Sequence, residues 1–126
     1  MKKEIKDPNK QANTGGYSSG IEVDGWVFVS GQGSLDMETG EYKEGTIEEE
    51  TILTLENVER VLKQAGCTRA DVVKSTCHLE DIKDFQKFDK TYREFFTGTI
   101  LPTRTTTESG LGGIKVEIDV IAYKKK

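Results

Sequence analysis

Apolar positions along this chain recur with two different periods, and the periods divide it into strands and helices. Trp26-Val27-Phe28-Val29, Val72 to Leu79 and Lys115 to Tyr123 are short runs rich in β-branched and aromatic residues, which predicts strands. Ile52, Leu55, Val58, Leu62 and Ala65 recur at spacings of three and four, as do Phe85, Phe88, Tyr92, Phe95 and Phe96. Each set makes one apolar stripe on a helix. Tyr17 to Val23 and Pro102 to Glu108 add two more strands, and residues 2–6 a possible sixth. The predicted order is β-β-α-β-α-β-β, an α+β chain with a sheet of five to six strands and two helices on one face.

Local signals mark where these elements begin and end. Asp24-Gly25 is a two-residue hairpin turn between Val23 and Trp26. Gly31-Gln32-Gly33 closes the Trp26 strand, and residues 34–45 form a long loop. Thr46 and Glu49 have the spacing of a capping box. Glu48, Glu49 and Glu50 lie in the first turn, where the helix dipole favours negative charge. Gly66 suits the position just past the helix end. Asp81 or Asp84 is expected to cap the second helix, and Gly98 to stop it. Residues 1–16 are polar and predict an arm or loop. Gly110-Leu111-Gly112-Gly113 lies between the last two strands, which therefore read as a hairpin.

Two helices can cover only one face of such a sheet. Trp26-Val27-Phe28-Val29 is apolar on both faces, because alternate residues point to opposite sides. The strand over 115–123 likewise puts Val116, Val120 and Ala122 on one face and Ile121 and Tyr123 on the other. The uncovered face needs a partner, and a homo-oligomer is expected.

Composition narrows the picture. A length of 126 residues predicts a single domain over 1–126, with 34% apolar residues sufficient for one core. The net charge of −4 counts against nonspecific nucleic-acid binding, which rests on neutralising phosphates. No apolar stretch follows Met1-Lys2-Lys3-Glu4-Ile5, and no run reaches the ~18 residues of a membrane span. Cys67 and Cys77 make neither a metal spacing nor a disulfide framework, so a reduced, cytoplasmic setting is expected. With His78 as the one histidine, a zinc site of several His or Cys ligands is not expected.

The candidate chemistry lies in two charged residues near the C-terminus, Arg104 and Glu117. A guanidinium grips a carboxylate with two parallel hydrogen bonds. A nearby carboxylate can hold or activate a water. Together they suggest a pocket for a small anionic substrate. The residues alone leave open that Arg104 is a structural partner of Glu108, Glu117 or Asp119.

Several short segments, in order, match one family. They are Gly16-Tyr17-Ser18, Val29-Ser30-Gly31-Gln32, Leu35-Asp36 with Thr39-Gly40, Asn57, Asp71-Val72-Val73-Lys74, Tyr92 with Phe95-Phe96, Pro102-Thr103-Arg104 and Val116-Glu117-Ile118. Over essentially its whole length the chain resembles the RidA family (YjgF or L-PSP) of enamine/imine deaminases. The resemblance implies a chorismate-mutase-like fold and a homotrimer whose sheets form a central barrel, with clefts between subunits. It implies hydrolysis of 2-aminoacrylate-type enamines and imines to the 2-keto acid and ammonia, with no metal or cofactor. Arg104, Glu117 and Tyr17 take the catalytic positions, and Ser30, Gly31, Arg104 and Thr106 the substrate-binding ones. The chain departs from the family pattern at Gly15-Gly16 before Tyr17, at Gly33-Ser34, at Thr106 in place of a common cysteine and at Asp89 in place of a common asparagine. Its 110–113 connection is also shorter.

Two other functions remain open on the same fold. One is a ligand-binding regulatory protein in which Arg104 holds a metabolite carboxylate without turnover. The other is an RNA-cleaving factor, which the acidic balance opposes.

Overall fold

The computed structural model describes residues 1–7 and 15–125. Residues 8–14, within the expected N-terminal arm, and Lys126 lie outside the described residues. The chain forms β1 (Lys3–Ile5), β2 (Gly20–Val23), β3 (Trp26–Gln32), α1 (Ile47–Gln64), β4 (Val72–Leu79), α2 (Phe85–Phe95), β5 (Thr103–Glu108) and β6 (Val116–Tyr123). One six-stranded sheet results, in the order β1-β2-β3-β6-β4-β5. All neighbours are antiparallel except β4 and β5, whose parallel pairing is made possible by the α2 crossover. The expected element order is present, and residues 2–6 supply the short sixth strand.

The expected starts and stops form for the reasons the sequence suggests. Asp24 and Gly25 both have positive φ, 51° and 86°, the twist that a tight two-residue hairpin needs. Thr46 and Glu49 make the reciprocal capping box, at 3.1 and 2.8 Å. Asp81 caps a short 3₁₀ turn over Ile82–Asp84 that leads into α2, whereas Asp84 makes no side-chain cap bond.

One expectation fails. β5 and β6 are not a hairpin, because β4 lies between them. The connection instead wraps the end of β4. Ser109 N donates to Leu79 O at 2.9 Å, Leu111 N to the Glu80 carboxylate at 2.7 Å, and Glu80 N to Lys115 O at 3.0 Å. Gly112 and Gly113, with φ of 72° and 124°, supply the left-handed backbone this route requires. Inserting β6 centrally also buries Val116, Ile118, Val120 and Ala122 completely.

Register sorts the side chains onto two faces. Ser75, Cys77 and Leu79 of β4 share the helix side with Val116, Ile118, Val120 and Ala122 of β6. Leu55, Val58, Val61 and Leu62 of α1, and Phe88, Tyr92 and Phe96 around α2, are buried with them in one core. Each such apolar side chain contributes roughly 1.5–3 kcal/mol on leaving water. The inward row of α1 is rotated from the expected stripe: Ile47, Thr51 and Thr54 are buried, while Ile52 is exposed.

The other face is bare among the described residues. Trp26, Phe28 and Tyr123 remain 42%, 41% and 40% exposed on it, with Trp26 packed edge-on against Tyr123 at 4.8 Å. Glu117, Asp119, Thr76 and His78 continue the same face toward its polar end.

Candidate functional site

The residues singled out in the sequence fall into two groups on opposite sides of the sheet. The first collects at the end of β3. A register shift between Val29 and Gln32 interrupts the pairing of β3 with β6 and re-aims Ser30 and Gly31. A Cβ on Gly31 would lie 2.9 Å from Glu117 Oε2, so the Glu117 carboxylate rests directly on the Gly31 backbone. Ser30 Oγ donates to Ser18 O at 2.6 Å, and Ser30 N to Ser19 O at 3.0 Å. These bonds tether the Tyr17 segment beside the same strand end.

Two residues join this group that the sequence reading did not place there. Tyr42, in the loop after β3, lies over Gly33, where a Cβ would meet its ring at 3.1 Å. Burial pushes the Tyr42 phenol up, and the charges of Tyr17 and Glu117 add to the effect. Tyr17, Tyr42 and Glu117 therefore share one electrostatic neighbourhood. An aromatic residue in an otherwise polar loop was the available signal. His78 is the other: it stands cross-strand from Glu117, and its Nδ1 hydrogen-bonds Ser109 Oγ at 2.9 Å.

The second group surrounds Arg104. Register with Ser75 puts Arg104 on the helix side of the edge strand β5. Its Nη2 meets Asp89 Oδ1 at 2.8 Å, so its ion-pair partner is Asp89 rather than Glu108, Glu117 or Asp119. The guanidinium lies 4.8 Å from the ring centre of Tyr92 and 5.5 Å from those of Phe85 and Phe88. Tyr92 is fixed in turn by Ser75 Oγ at 2.7 Å. Asp89, Tyr92, Arg93, Leu101, Pro102 and Arg104 line a pocket of about 210 Å³. Burial tends to raise the Asp89 carboxyl, but its bonds and charge contacts with Arg104 and Arg93 outweigh this and hold it below its usual value. Thr106 points to the same side, with a buried hydroxyl that makes no hydrogen bond. Beside it, burial pushes the Cys77 thiol up to about 12 despite the opposing charge of Arg104, which leaves it inert as a nucleophile.

Within one chain, then, Arg104 and Thr106 are not brought to Glu117, Tyr17, Ser30 and Gly31. No group of three or more His, Cys, Asp or Glu suited to a metal ion occurs among the described residues. No helix there is long and apolar enough to cross a membrane.

A family model described as Endoribonuclease L-PSP matches residues 8–124. The chain belongs to the RidA (YjgF, L-PSP) family. A RutC family protein of Pyrococcus abyssi is 40% identical over 113 residues, covering 88% of each chain. The mouse 2-iminobutanoate/2-iminopropanoate deaminase is 36% identical over 126 residues, covering 98% of this chain and 93% of that one. Among solved structures, Escherichia coli TdcF with bound serine superposes with a TM-score of 0.89 at 29% identity, covering 98% and 100%. The RidA fold expected from the sequence is thus the observed one: a mixed six-stranded sheet with two helices on one face.

Proposed function

We propose that this RidA-family chain hydrolyses small 2-imino and 2-enamino acids to the 2-keto acid and ammonia. The observation that carries the reading is the Glu117 carboxylate seated on Gly31, with the Tyr17 and Tyr42 phenols in its electrostatic neighbourhood. A relative named as an imine deaminase, aligned over nearly the whole chain, supports the reaction class.

The chemistry asks little of the protein. Arg104 grips the substrate carboxylate through donors that Asp89 leaves unused. Ser30, Gly31, Thr106 and the Tyr17 hydroxyl position the rest. An enamine first takes a proton at carbon and becomes the imine. Glu117 then orients a water toward the imine carbon. The water oxygen bonds that carbon as the C=N π pair moves to nitrogen, which is protonated. The carbinolamine collapses to the ketone, and ammonia leaves. Imines hydrolyse unaided, so positioning and acid–base help of roughly 10²–10⁴-fold suffice.

Because Arg104 and Glu117 occupy opposite faces, the reading requires clefts shared between copies, as in a homotrimer whose open sheet faces pack together. The apolar Trp26, Phe28 and Tyr123 face gives such packing its driving force.

The Arg104–Asp89 pair favours a second reading, a carboxylate-binding protein without turnover, since the guanidinium is already partly neutralised. The family model's endoribonuclease description carries less weight here, because a net charge of −4 opposes RNA binding.

A coupled assay separates these readings. A pyridoxal-phosphate dehydratase generates 2-aminoacrylate from serine, and imine decay is followed with wild type, Arg104→Ala, Glu117→Gln and no added protein. Wild type is expected to accelerate decay, with Glu117→Gln lowering kcat and Arg104→Ala raising KM. Decay equal to the blank across several imines excludes the enzyme.

A further inference from the structure

The Arg104 pocket carries a second charge that the proposed chemistry does not use. Asp89 sits on α2 with one oxygen 2.8 Å from Arg104 and the other 3.5 Å from Arg93. Arg93 is 67% exposed, and its charge is largely screened by water. Arg104 and Asp89 are the better-buried pair, at 19% and 28% side-chain exposure. The pocket is walled otherwise by Tyr92, Leu101 and Pro102. A small ligand entering it therefore meets one fixed cation and one fixed anion side by side, against an apolar wall.

Such a pair selects by charge pattern. A plain carboxylate is drawn to Arg104 and repelled by Asp89. A ligand with a carboxylate and an ammonium or iminium on the adjacent carbon matches both, because its two charges are about as far apart as the two it faces. The pull of Arg104 on the Asp89 carboxyl keeps that residue ionised at neutral pH.

We propose that Asp89 is a specificity-determining residue that makes the Arg104 pocket select small zwitterionic 2-amino or 2-iminium acids over the matching 2-keto acids. The inference rests on Arg104 holding the ligand carboxylate. Its consequence is directional: an iminium substrate is retained, and the keto-acid product, having lost its cation, is released.

The test uses two non-reacting probes with one carbon skeleton, 2-aminobutanoate and 2-oxobutanoate. NMR titration reads their affinities for wild type, Asp89→Asn, Asp89→Glu and Arg104→Ala. Asparagine keeps the size and an oxygen for Arg104, so the fold is retained while the charge is lost. The affinity ratio is expected to move roughly tenfold toward the keto acid in Asp89→Asn. That is the product of a lost ammonium pairing and a relieved repulsion, each about threefold at a partly exposed site. Asp89→Glu, which restores the charge, is expected to recover most of the wild-type preference. A merely structural Asp89 would weaken both probes alike, and an unchanged ratio overturns the inference while leaving Arg104 in its role. Arg104→Ala is expected to lose both probes. If it binds them as wild type does, or if wild type binds neither, the role of Arg104 fails and the inference falls with it.

Discussion

Arg104 and Glu117 project from opposite faces of one sheet, with β4 between their strands. Arg104 is in register with Ser75, whose hydroxyl reaches Tyr92 on the helix side. Glu117 is in register with His78 on the bare side. Side chains alternate in direction along β4, and these two positions are three residues apart, so the two charges diverge. A guanidinium and a carboxylate that act on one substrate must then come from two copies of the chain.

That requirement makes a complementation experiment informative. At a substrate level well below the raised KM of Arg104→Ala, that variant and Glu117→Gln are each expected to show little imine hydrolysis in a uniform oligomer. Co-refolding the two in equal amounts is expected to restore about a quarter of wild-type activity, because random assembly pairs an intact Arg104 with an intact Glu117 in about one cleft of four. Activity that stays at the level of the single variants in the mixture argues against a shared cleft.

Gly31 predicts a separation of activity from stability. An added methyl group would meet Glu117 Oε2 at 2.9 Å and its carboxyl carbon at 3.0 Å. The clash is with the end of a flexible side chain at an exposed glycine, so the fold yields cheaply and the carboxylate moves. Gly31→Ala is expected to lose less than about 1 kcal/mol of stability, as surface substitutions do. Activity is expected to fall roughly ten- to a hundredfold, since a displacement of about 1 Å in a positioning group can cost 10²-fold. Denaturant melts and imine decay on the same preparation read both quantities.

Much of the fold was legible because its signals are local. The Asp24-Gly25 turn, the Thr46–Glu49 box and the Phe88-Tyr92-Phe96 stripe each lie within a few residues and appear as expected. What misled was strand order. Pro102 to Glu108 and Lys115 to Tyr123 look like a hairpin from their glycine-rich link, and nothing local records that β4 intervenes. Burial decides it: Val116, Ile118, Val120 and Ala122 need a central strand, whereas the five polar residues of Thr103 to Thr107 suit an edge. The site was legible as residue types and not as geometry. Arg104 and Glu117 were singled out, but Tyr42 over Gly33 and Asp89 on Arg104 arise from contacts across loop and helix that no spacing encodes.

Glu50 is the buried anchor of the loop that carries Tyr42. Only 1% of it is exposed, and its carboxylate accepts from Ser34 Oγ at 3.2 Å, Gly45 N at 3.1 Å and Lys115 N at 2.8 Å, and pairs with Lys115 Nζ at 3.2 Å. These bonds tie both ends of the loop to the start of β6. Removing the carboxylate strands the buried Ser34 hydroxyl and the part-buried N–H groups of Gly45 and Lys115. The Lys115 side chain is 41% exposed and its ammonium can turn to water, so the cost comes from the stranded donors: Glu50→Ala is expected to cost about 2–3 kcal/mol, and Glu50→Gln less, because one acceptor oxygen survives. Urea midpoints at constant m-value check this, and a cost near zero for Glu50→Ala would show that the loop is held by other contacts.

Asp119 gives the open sheet face a pH signature of defined sign. Burial pushes its carboxyl up, and the charges of His78 and Lys74 only partly oppose the shift. A carboxyl whose folded value lies above its unfolded one binds its proton more tightly when folded. Its contribution favours the folded state at pH below the unfolded value, near 4, and is lost as pH rises through the folded value. Asp119→Asn cannot ionise and does not suffer that loss. The variant is therefore expected to gain in melting temperature relative to wild type as pH rises from about 4, with the gain levelling off once Asp119 is ionised in the folded wild type. Glu59 shifts the opposite way through its bond to Arg69, but it is present in both proteins and cancels in the difference. Melting curves of the two proteins at matched concentration across this range supply the measurement. A difference that is flat with pH, or that shrinks as pH rises, would mean that His78 and Lys74 fully compensate the burial of Asp119.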